Sequence, residues 1–314
     1  PHFKFIGAPY EQGLAHGEAL QESIAKNIDI YLNRFENEAG INKNELLENT
    51  GIYLNVLREQ SPEYVNGMNG IAESSNLNML EIAMLNLRYE LLYHALGKLL
   101  QSEAVDGCTS FAVLPEAAEN KHLLMGQNWD WIPDVDCVLT TSIDTDGLRR
   151  MAFTEAGIFG GKPGMNSEGV GLAVNGMYST SDDWSRFQKP FHLRCYEVLR
   201  SPNMDEALNE LAGTPRSCTT NFILGHGPSR VVDIELAPDS LCLIDPINGM
   251  LAHANHLVDP KEAGVSEPLN PRRHLSEFRH KRMEELLNEQ KPLNVDIVQE
   301  ILKDHDHQPQ SLCR

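Results

Sequence analysis

An α+β layered fold with mainly antiparallel sheets is what this sequence predicts, on three observations. Apolar residues recur with helical spacing from residue 10 to about residue 100. Short strand-like runs separated by turn residues begin after Cys108, and helical stretches interrupt them only twice. Strands in series, with helices grouped apart from them, argue for α+β layering; a βαβ repeat would alternate the two.

In the first region Ile24, Ile28, Tyr31, Leu32 and Phe35 recur at helical spacings, and Leu46, Leu47, Ile52, Leu54, Val56 and Leu57 continue in the same style. Residues 81–92 are rich in helix formers and apolar nearly all round, the pattern of a buried helix. Ser61-Pro62 and the stretch 67–70 punctuate these segments. Beyond Cys108, residues 109–114, 123–128, 138–143, 150–154, 170–175, 219–224, 231–236, 240–244 and 249–253 read as strands bounded by Gly, Pro, Asn and Asp. Gly147 and Gly227-Pro228 fall where hairpin turns are needed. Residues 193–199 with 204–211 form one helical stretch, and 273–287 with 295–302 the other. No repeat period or low-complexity linker appears.

Composition narrows the function classes. The 314 residues suffice for one large domain or two ordinary ones. A net charge of −19, from 26 Lys and Arg against 45 Asp and Glu, excludes a nucleic-acid partner, which needs a basic face. The six cysteines (Cys108, Cys137, Cys195, Cys218, Cys242 and Cys313) are scattered without a CxxC pair, which fits a reducing, cytoplasmic setting. The opening residues carry no signal-peptide apolar core, and no run approaches the roughly 18 apolar residues of a membrane span. A soluble protein without a membrane partner is expected. The chain opens on Pro1 and not on Met, which leaves room for upstream sequence.

Gly107-Cys108-Thr109-Ser110 is the stretch with most chemistry in it. A thiol attacks as its thiolate, and free cysteine titrates near about 8.5, so a base must take its proton at neutral pH. An α-amino group titrates near about 7.7 to 8.0 and can be that base once freed from its peptide bond. Cleavage between Gly107 and Cys108 would free it. Gly107, without Cβ, leaves its carbonyl carbon open to the neighbouring sulfur. The alternative is a buried structural thiol, the commoner fate of a free cysteine.

Other polar clusters have two readings each. His253-Ala254-Asn255-His256 and Asp304-His305-Asp306-His307 invite a metal, but strand alternation sends His253 and His256 to opposite faces and two histidines do not complete a site. No metal and no cofactor is expected, and 304–307 reads as an exposed loop. Asp130 in Asn128-Trp129-Asp130 could serve only a turn, Asn255 could cap a loop, and Arg314 could be a solvated tail. Met177, Trp184 and Phe187 lie in or beside a Ser/Thr/Asp-rich segment that could line a substrate pocket or simply pack.

Ordered motifs run along almost the whole chain: Gly13-Leu14-Ala15-His16-Gly17, Gly70-Ile71-Ala72-Glu73, Met84-Leu85-Asn86-Leu87-Arg88-Tyr89-Glu90, Asp106-Gly107-Cys108-Thr109 and Gly126-Gln127-Asn128-Trp129-Asp130. Thr154-Glu155-Ala156-Gly157, Asn166-Ser167-Glu168-Gly169-Val170, His253-Ala254-Asn255-His256 and Ser311-Leu312-Cys313-Arg314 follow. With these the chain resembles the acyl-coenzyme A:isopenicillin N (6-aminopenicillanic acid) acyltransferase family of the N-terminal nucleophile hydrolases. The resemblance implies a four-layer αββα sandwich and autoproteolysis into a helical segment, 1–107, and a catalytic region, 108–314, packed as one compact domain. By position it implies Cys108 as nucleophile, Asp130 as the carboxylate beside the new amino terminus, Asn255 as an oxyanion-stabilising amide and Arg314 as the active-site arginine. Asn175 resembles the strand-end asparagine of the wider group. The family continues past its Ser-x-Cys-Arg motif, so the C-terminal end reads as truncated, and a terminal arginine is poorly ordered unless tied down.

The expected activity is an N-terminal cysteine amidohydrolase or acyltransferase working on small-molecule acyl amides or acyl-CoA thioesters through an S-acyl-enzyme, with hydrolysis of N-acyl amides favoured. The alternatives are a penicillin-type acyl-CoA-dependent N-acyltransferase and an uncleaved, non-catalytic binding homologue. A heterodimer of the two cleavage products is the assembly the resemblance allows.

Overall fold

The computed structural model describes residues 1–99, 107–268 and 273–314. Asp106 of the motif above and residue 100, the expected end of the helical region, lie outside them, and side chains of the fourth helix are described as far as Leu92. The fold is mixed α and β, compatible with the α+β class. Strand β1 (His2–Ile6) is followed by α1 (Pro9–Ala39), α2 (Lys43–Gln60), α3 (Pro62–Ser75) and α4 (Met79–Leu99). Then come β2 (Thr109–Val113), β3 (Leu124–Asn128), β4 (Cys137–Ile143), β5 (Arg149–Glu155), β6 (Gly164–Asn166) and β7 (Val170–Gly176). The chain closes with α5 (Phe191–Val198), α6 (Met204–Ala212), β8 (Thr220–His226), β9 (Arg230–Leu236), β10 (Leu241–Ile244), β11 (Met250–His253), α7 (Arg273–Glu289) and α8 (Val295–Leu302). No helix among the described residues is long and apolar enough to cross a membrane.

Local chemistry sets the helix ends. Pro9 and Pro62 open α1 and α3, where a missing N–H costs nothing. Asn42 and Ser61 accept backbone N–H bonds at the starts of α2 and α3, and Gly40 ends α1 with φ of 67°, a left-handed cap. The Gly13/Gly17 and Gly70 motifs have a packing cause: a Cβ on Gly13 would lie 2.1 Å from the Gly67 carbonyl oxygen, and one on Gly70 2.3 Å from that of Tyr10. Bare backbones let α1 and α3 cross closely. His16 accepts from the Gly157 amide at 3.0 Å, in keeping with burial that pulls its pKa down to about 4 and leaves the ring neutral.

Among the described residues, one sheet runs in the order β1-β4-β5-β6-β7-β8-β9-β10 and a smaller one in the order β11-β2-β3. All pairs are antiparallel except β1 with β4. Every strand read from the sequence is present to within two residues at each end, whereas β1 and the three-residue β6 were not read. Alternation along the strands makes the layers. Leu172, Val174, Phe222 and Leu224 face Leu199 and Leu211 beside and within α5 and α6. Ala173 and Ile223 face Ala112 and Leu251 of the small sheet, and Phe111, Val113 and Ala252 on its other side meet Met283, Leu287 and Ile301 of α7 and α8. Residues before Gly107, such as Ile24, Tyr64 and Leu85, share one apolar core with Val138, Ala156 and Ile158 beyond it.

Toward Cys108 the layer between the sheets turns polar. Ser110 pairs in register with His253, Asn175 with Asn221 and Asn221 with Glu235, so these residues form one transverse row on the two facing sheets. The Asn175 amide donates to Ser110 Oγ at 2.5 Å and to Asn221 Oδ1 at 2.7 Å, and His253 Nε2 lies 2.9 Å from Glu235 Oε1. Gln127 adds a two-way bond to β7, donating to Val174 O and accepting from Val174 N. Buried polar groups tolerate few alternative partners, so the row fixes the register of β2 against the large sheet.

Candidate active site

Cys108 immediately precedes β2, is 3% exposed, and holds its sulfur 4.0 Å from the Asp130 carbonyl oxygen. The strand behind it is the centre of the small sheet, paired on both sides. Its sulfur therefore sits on a stiff element, at the mouth of a very small cavity walled by Arg88, Tyr89, Trp129, Trp131 and Gly176.

Arg314 is tied down, contrary to what its place at the chain end led us to expect. Asn128 donates to the carbonyls of Leu302 and Leu312 at 2.8 Å each, Cys313 N donates to Asp304 O at 3.0 Å, and Ser311 Oγ bonds Cys313 O. These bonds lay the terminal residues beside β3, the neighbour of the strand that follows Cys108. The Arg314 guanidinium packs on Gly107 so closely that a Cβ there would lie 1.1 Å from Nη2, and its Nε is 3.7 Å from Asp130 Oδ2. Burial pushes the Asp130 carboxyl up, and Arg314 and Arg279 oppose the shift. Asn128 thus anchors the segment that carries Arg314.

Asn255 reaches the same place from the end of β11. Its Nδ2 donates to Gly176 O at 3.0 Å, its Oδ1 accepts from Arg279 Nη2 at 2.6 Å, and its backbone N donates to Ser276 Oγ at 2.7 Å. Arg279, 1% exposed on α7, also directs Nε to Thr109 Oγ1 at 3.3 Å, so one guanidinium bridges the residue after Cys108 and Asn255. Asn175 is fully buried, and both its amide hydrogens are engaged by Ser110 and Asn221; its link to β2 runs through Ser110. Cys108, Asp130, Asn255 and Arg314 are thus brought together, with Asn175 one layer behind.

The alternation argument for the two histidines fails. β11 ends at His253, so His256 lies past the strand, and the two rings stack with centroids 6.2 Å apart. His253 presents both ring nitrogens to acceptors, Glu235 Oε1 and Ala254 O; although burial opposes its charge, Asp233 and Glu235 carry its pKa to about 9. Burial and the neighbouring cations drive His256 down to about 2, matching its Nδ1 2.8 Å from Ser276 Oγ. Among the described residues no group of three or more His, Cys, Asp or Glu is placed to hold a metal. Met177 is buried in a small cluster with Cys242 and Leu257, and Trp184 and Phe187 pack on the helical core.

Sequence reasoning missed Arg279, Ser276 and Arg88. Arg88, in α4, pairs with Glu155 just inside the layer and stacks over Tyr31 and Trp131 at 4.9 and 5.3 Å. Lys162 also binds Glu155 and sits 4.3 Å over Trp129. A wider groove of about 920 Å³ starts at Asp130 and Cys313 and runs along β3 over Met151, Met165 and Gly171.

Comparison with known proteins converges on one family. The model of the acyl-coenzyme A:6-aminopenicillanic acid acyltransferase family matches residues 117–314. The chain is also 30% identical, over 321 aligned residues covering 100% of this chain and 84% of the relative, to the acyl-coenzyme A:6-aminopenicillanic-acid-acyltransferase 40 kDa form of Emericella nidulans. The chain belongs to the acyl-coenzyme A:6-aminopenicillanic acid acyltransferase family. The family match contains Asp130, Asn175, Asn255 and Arg314, while Cys108 falls in the part reached by the alignment with the Emericella nidulans protein. Two of the motifs quoted above also hold the layers together: Asn86 bonds Gly157 O and Phe159 N, and Arg88 meets Glu155, tying α4 to the sheet.

Proposed function

We propose that the protein is an N-terminal cysteine acyltransferase that cuts itself between Gly107 and Cys108 and then carries an acyl group on the Cys108 sulfur. The convergence of Asp130, Arg314, Asn255 and Arg279 on the Gly107-Cys108 junction carries this reading. In the first reaction the thiolate attacks the Gly107 carbonyl, the peptide nitrogen leaves with a proton, and water releases Gly107 as a carboxylate. The freed α-amine then accepts the Cys108 thiol proton and returns it to the leaving group when the thiolate attacks a donor carbonyl. An acceptor amine repeats the exchange in reverse, losing its proton to the α-amine as the amide forms. Asp130 holds the ammonium, Arg314 orients Asp130, and the Asn255 amide donates to the tetrahedral oxyanion, a contribution of about 3 kcal/mol at comparable sites. Asn175 keeps β2 in register. The layering of helices on both outer faces of two stacked sheets supports the αββα sandwich that this chemistry uses elsewhere in the superfamily.

Family membership favours transfer over the hydrolysis that sequence alone favoured, with an acyl-CoA thioester as donor and a small amine as acceptor. The test screens acyl-CoA thioesters, acyl amides and lactones with the processed protein, with and without 6-aminopenicillanic acid, scoring transfer and hydrolysis separately. Acceptor-dependent amide product supports the reading; release of free acid alone, unaltered by any amine, would replace it with an amidohydrolase. A protein inert to every donor sinks both.

The junction itself gives a sharper expectation. Gly107→Ala places a methyl group where the Arg314 guanidinium sits, so the arginine must leave Asp130. Self-cleavage followed by intact mass should slow at least tenfold with little change in melting temperature. Arg314→Ala should do the same, and the double variant should be no slower than either single one.

A further inference from the structure

We propose that Glu235 and His253 are positioning residues, a buried clamp that closes the 254–257 segment into a fixed loop and so aims the Asn255 amide at the reacting carbonyl. The inference rests on the reading of Asn255 given above.

One carboxylate oxygen does most of the holding. Glu235 Oε1, on β9 of the large sheet, accepts from His253 Nε2 at 2.9 Å and from the Val258 amide at 2.5 Å. These two donors stand at either end of the segment that contains Asn255. The ring of His253 then turns its other N–H to Ala254 O at 2.9 Å, tying the first peptide of the loop to the same imidazolium. Glu235 and His253 are each 0% exposed, so the bond between them does not compete with water. From α7, Ser276 takes the Asn255 backbone N–H and Arg279 takes its side-chain oxygen. Two elements from different layers therefore restrain a loop that has no secondary structure of its own.

Such a clamp matters to rate because an oxyanion donor acts by being aimed in advance. A displaced amide still permits substrate binding but loses the interaction that exists only in the transition state. Among the described residues the side-chain hydrogen bonds of Glu235 run to His253 and Val258, at the two ends of the loop, so its effect passes through the loop.

The test uses acylation of Cys108 in the processed protein by p-nitrophenyl acetate, followed by nitrophenolate release and by the mass of the acetyl adduct. Glu235→Gln keeps the shape and weakens both bonds; it should lower the limiting acylation rate at least tenfold with the half-saturating ester concentration nearly unchanged. In an Asn255→Ala background the same substitution should cost less than twofold, because the amide to be aimed is gone. His253→Gln, which retains a neutral donor toward Glu235, should recover part of the rate lost in His253→Ala, and it serves as the second probe if Glu235→Gln does not fold. Equal losses from Glu235→Gln in both backgrounds overturn the clamp while leaving Asn255 in its role. An Asn255→Ala protein of full activity removes the Asn255 reading and the clamp with it.

Discussion

A Cys108→Ala chain is expected to persist as a single 35.1 kDa species under denaturing conditions and to form no acyl adduct with any donor. The loss should be total, because in the proposed mechanism one sulfur serves both the cut that frees the amine and the acyl transfer that follows. Four of the five other thiols cannot substitute. Burial pushes Cys137 and Cys242 up to about 11 and Cys195 and Cys218 well above the ordinary thiol range. At pH 7 a thiol of that kind is ionised to about one part in ten thousand, too little for a nucleophile. Cys313 is half-buried at the edge of the wide groove, so peptide mapping of an alkylated sample separates it from Cys108. Cys108→Ser gives a finer measure: the hydroxyl fits the same space, but the amine must now activate an alcohol, and processing should slow at least about a hundredfold. Splitting at residues 107/108 in the alanine variant, or undiminished turnover, would falsify the mechanism.

The strands were legible because, from Thr109 onward, they are short, alternate in polarity and end at turn-forming residues; Gly147 sits with φ of 90° in the β4–β5 hairpin where the sequence asked for it. β1 was not legible. Five residues at a chain end become a strand only through parallel pairing with β4, more than a hundred residues away, and no local pattern records that. At the site, Asp130, Asn255 and Arg314 were nameable because they stand in motifs. Arg279 was not, since an arginine in a charged helix such as Arg273–Glu289 ordinarily belongs to the solvated face; only the docking of α7 on β2 and β11 turns it inward. The two histidines failed for a related reason. Alternation holds within a strand, and β11 stops at His253.

Replacing Glu155 with Gln is expected to remove about 3 to 5 kcal/mol of stability at pH 7, a large share of what holds a domain together. Glu155 is 1% exposed and receives Arg88, Lys162 and the Tyr31 hydroxyl, the last at 2.6 Å. Burial alone would push its carboxyl up, yet Arg88 and Lys162 more than offset this and hold it well below the usual carboxylate range. Lys162, drawn down to about 8 by burial, still carries its proton at pH 7. The glutamine variant therefore leaves Arg88 facing a neutral amide in a buried place and takes from Lys162 the partner that supports its charge, which costs far more than the ion pair itself is worth. Lys162→Met in the same background should restore part of the loss by removing a buried amine that has lost its partner. Acid reveals the same linkage. A depressed folded pKa gives stability that is present above the ordinary carboxylate value, about 4.3, and disappears as the pH falls below it. The gap between wild type and Glu155→Gln in urea titrations should accordingly shrink on going from pH 7 to pH 3; a gap that stays constant would place the effect elsewhere. Arg88 and Glu155 stand on opposite sides of the Gly107-Cys108 bond, so under the proposed cleavage the pair also joins the two fragments, and its loss should lower the melting temperature of the cleaved protein at any given protein concentration.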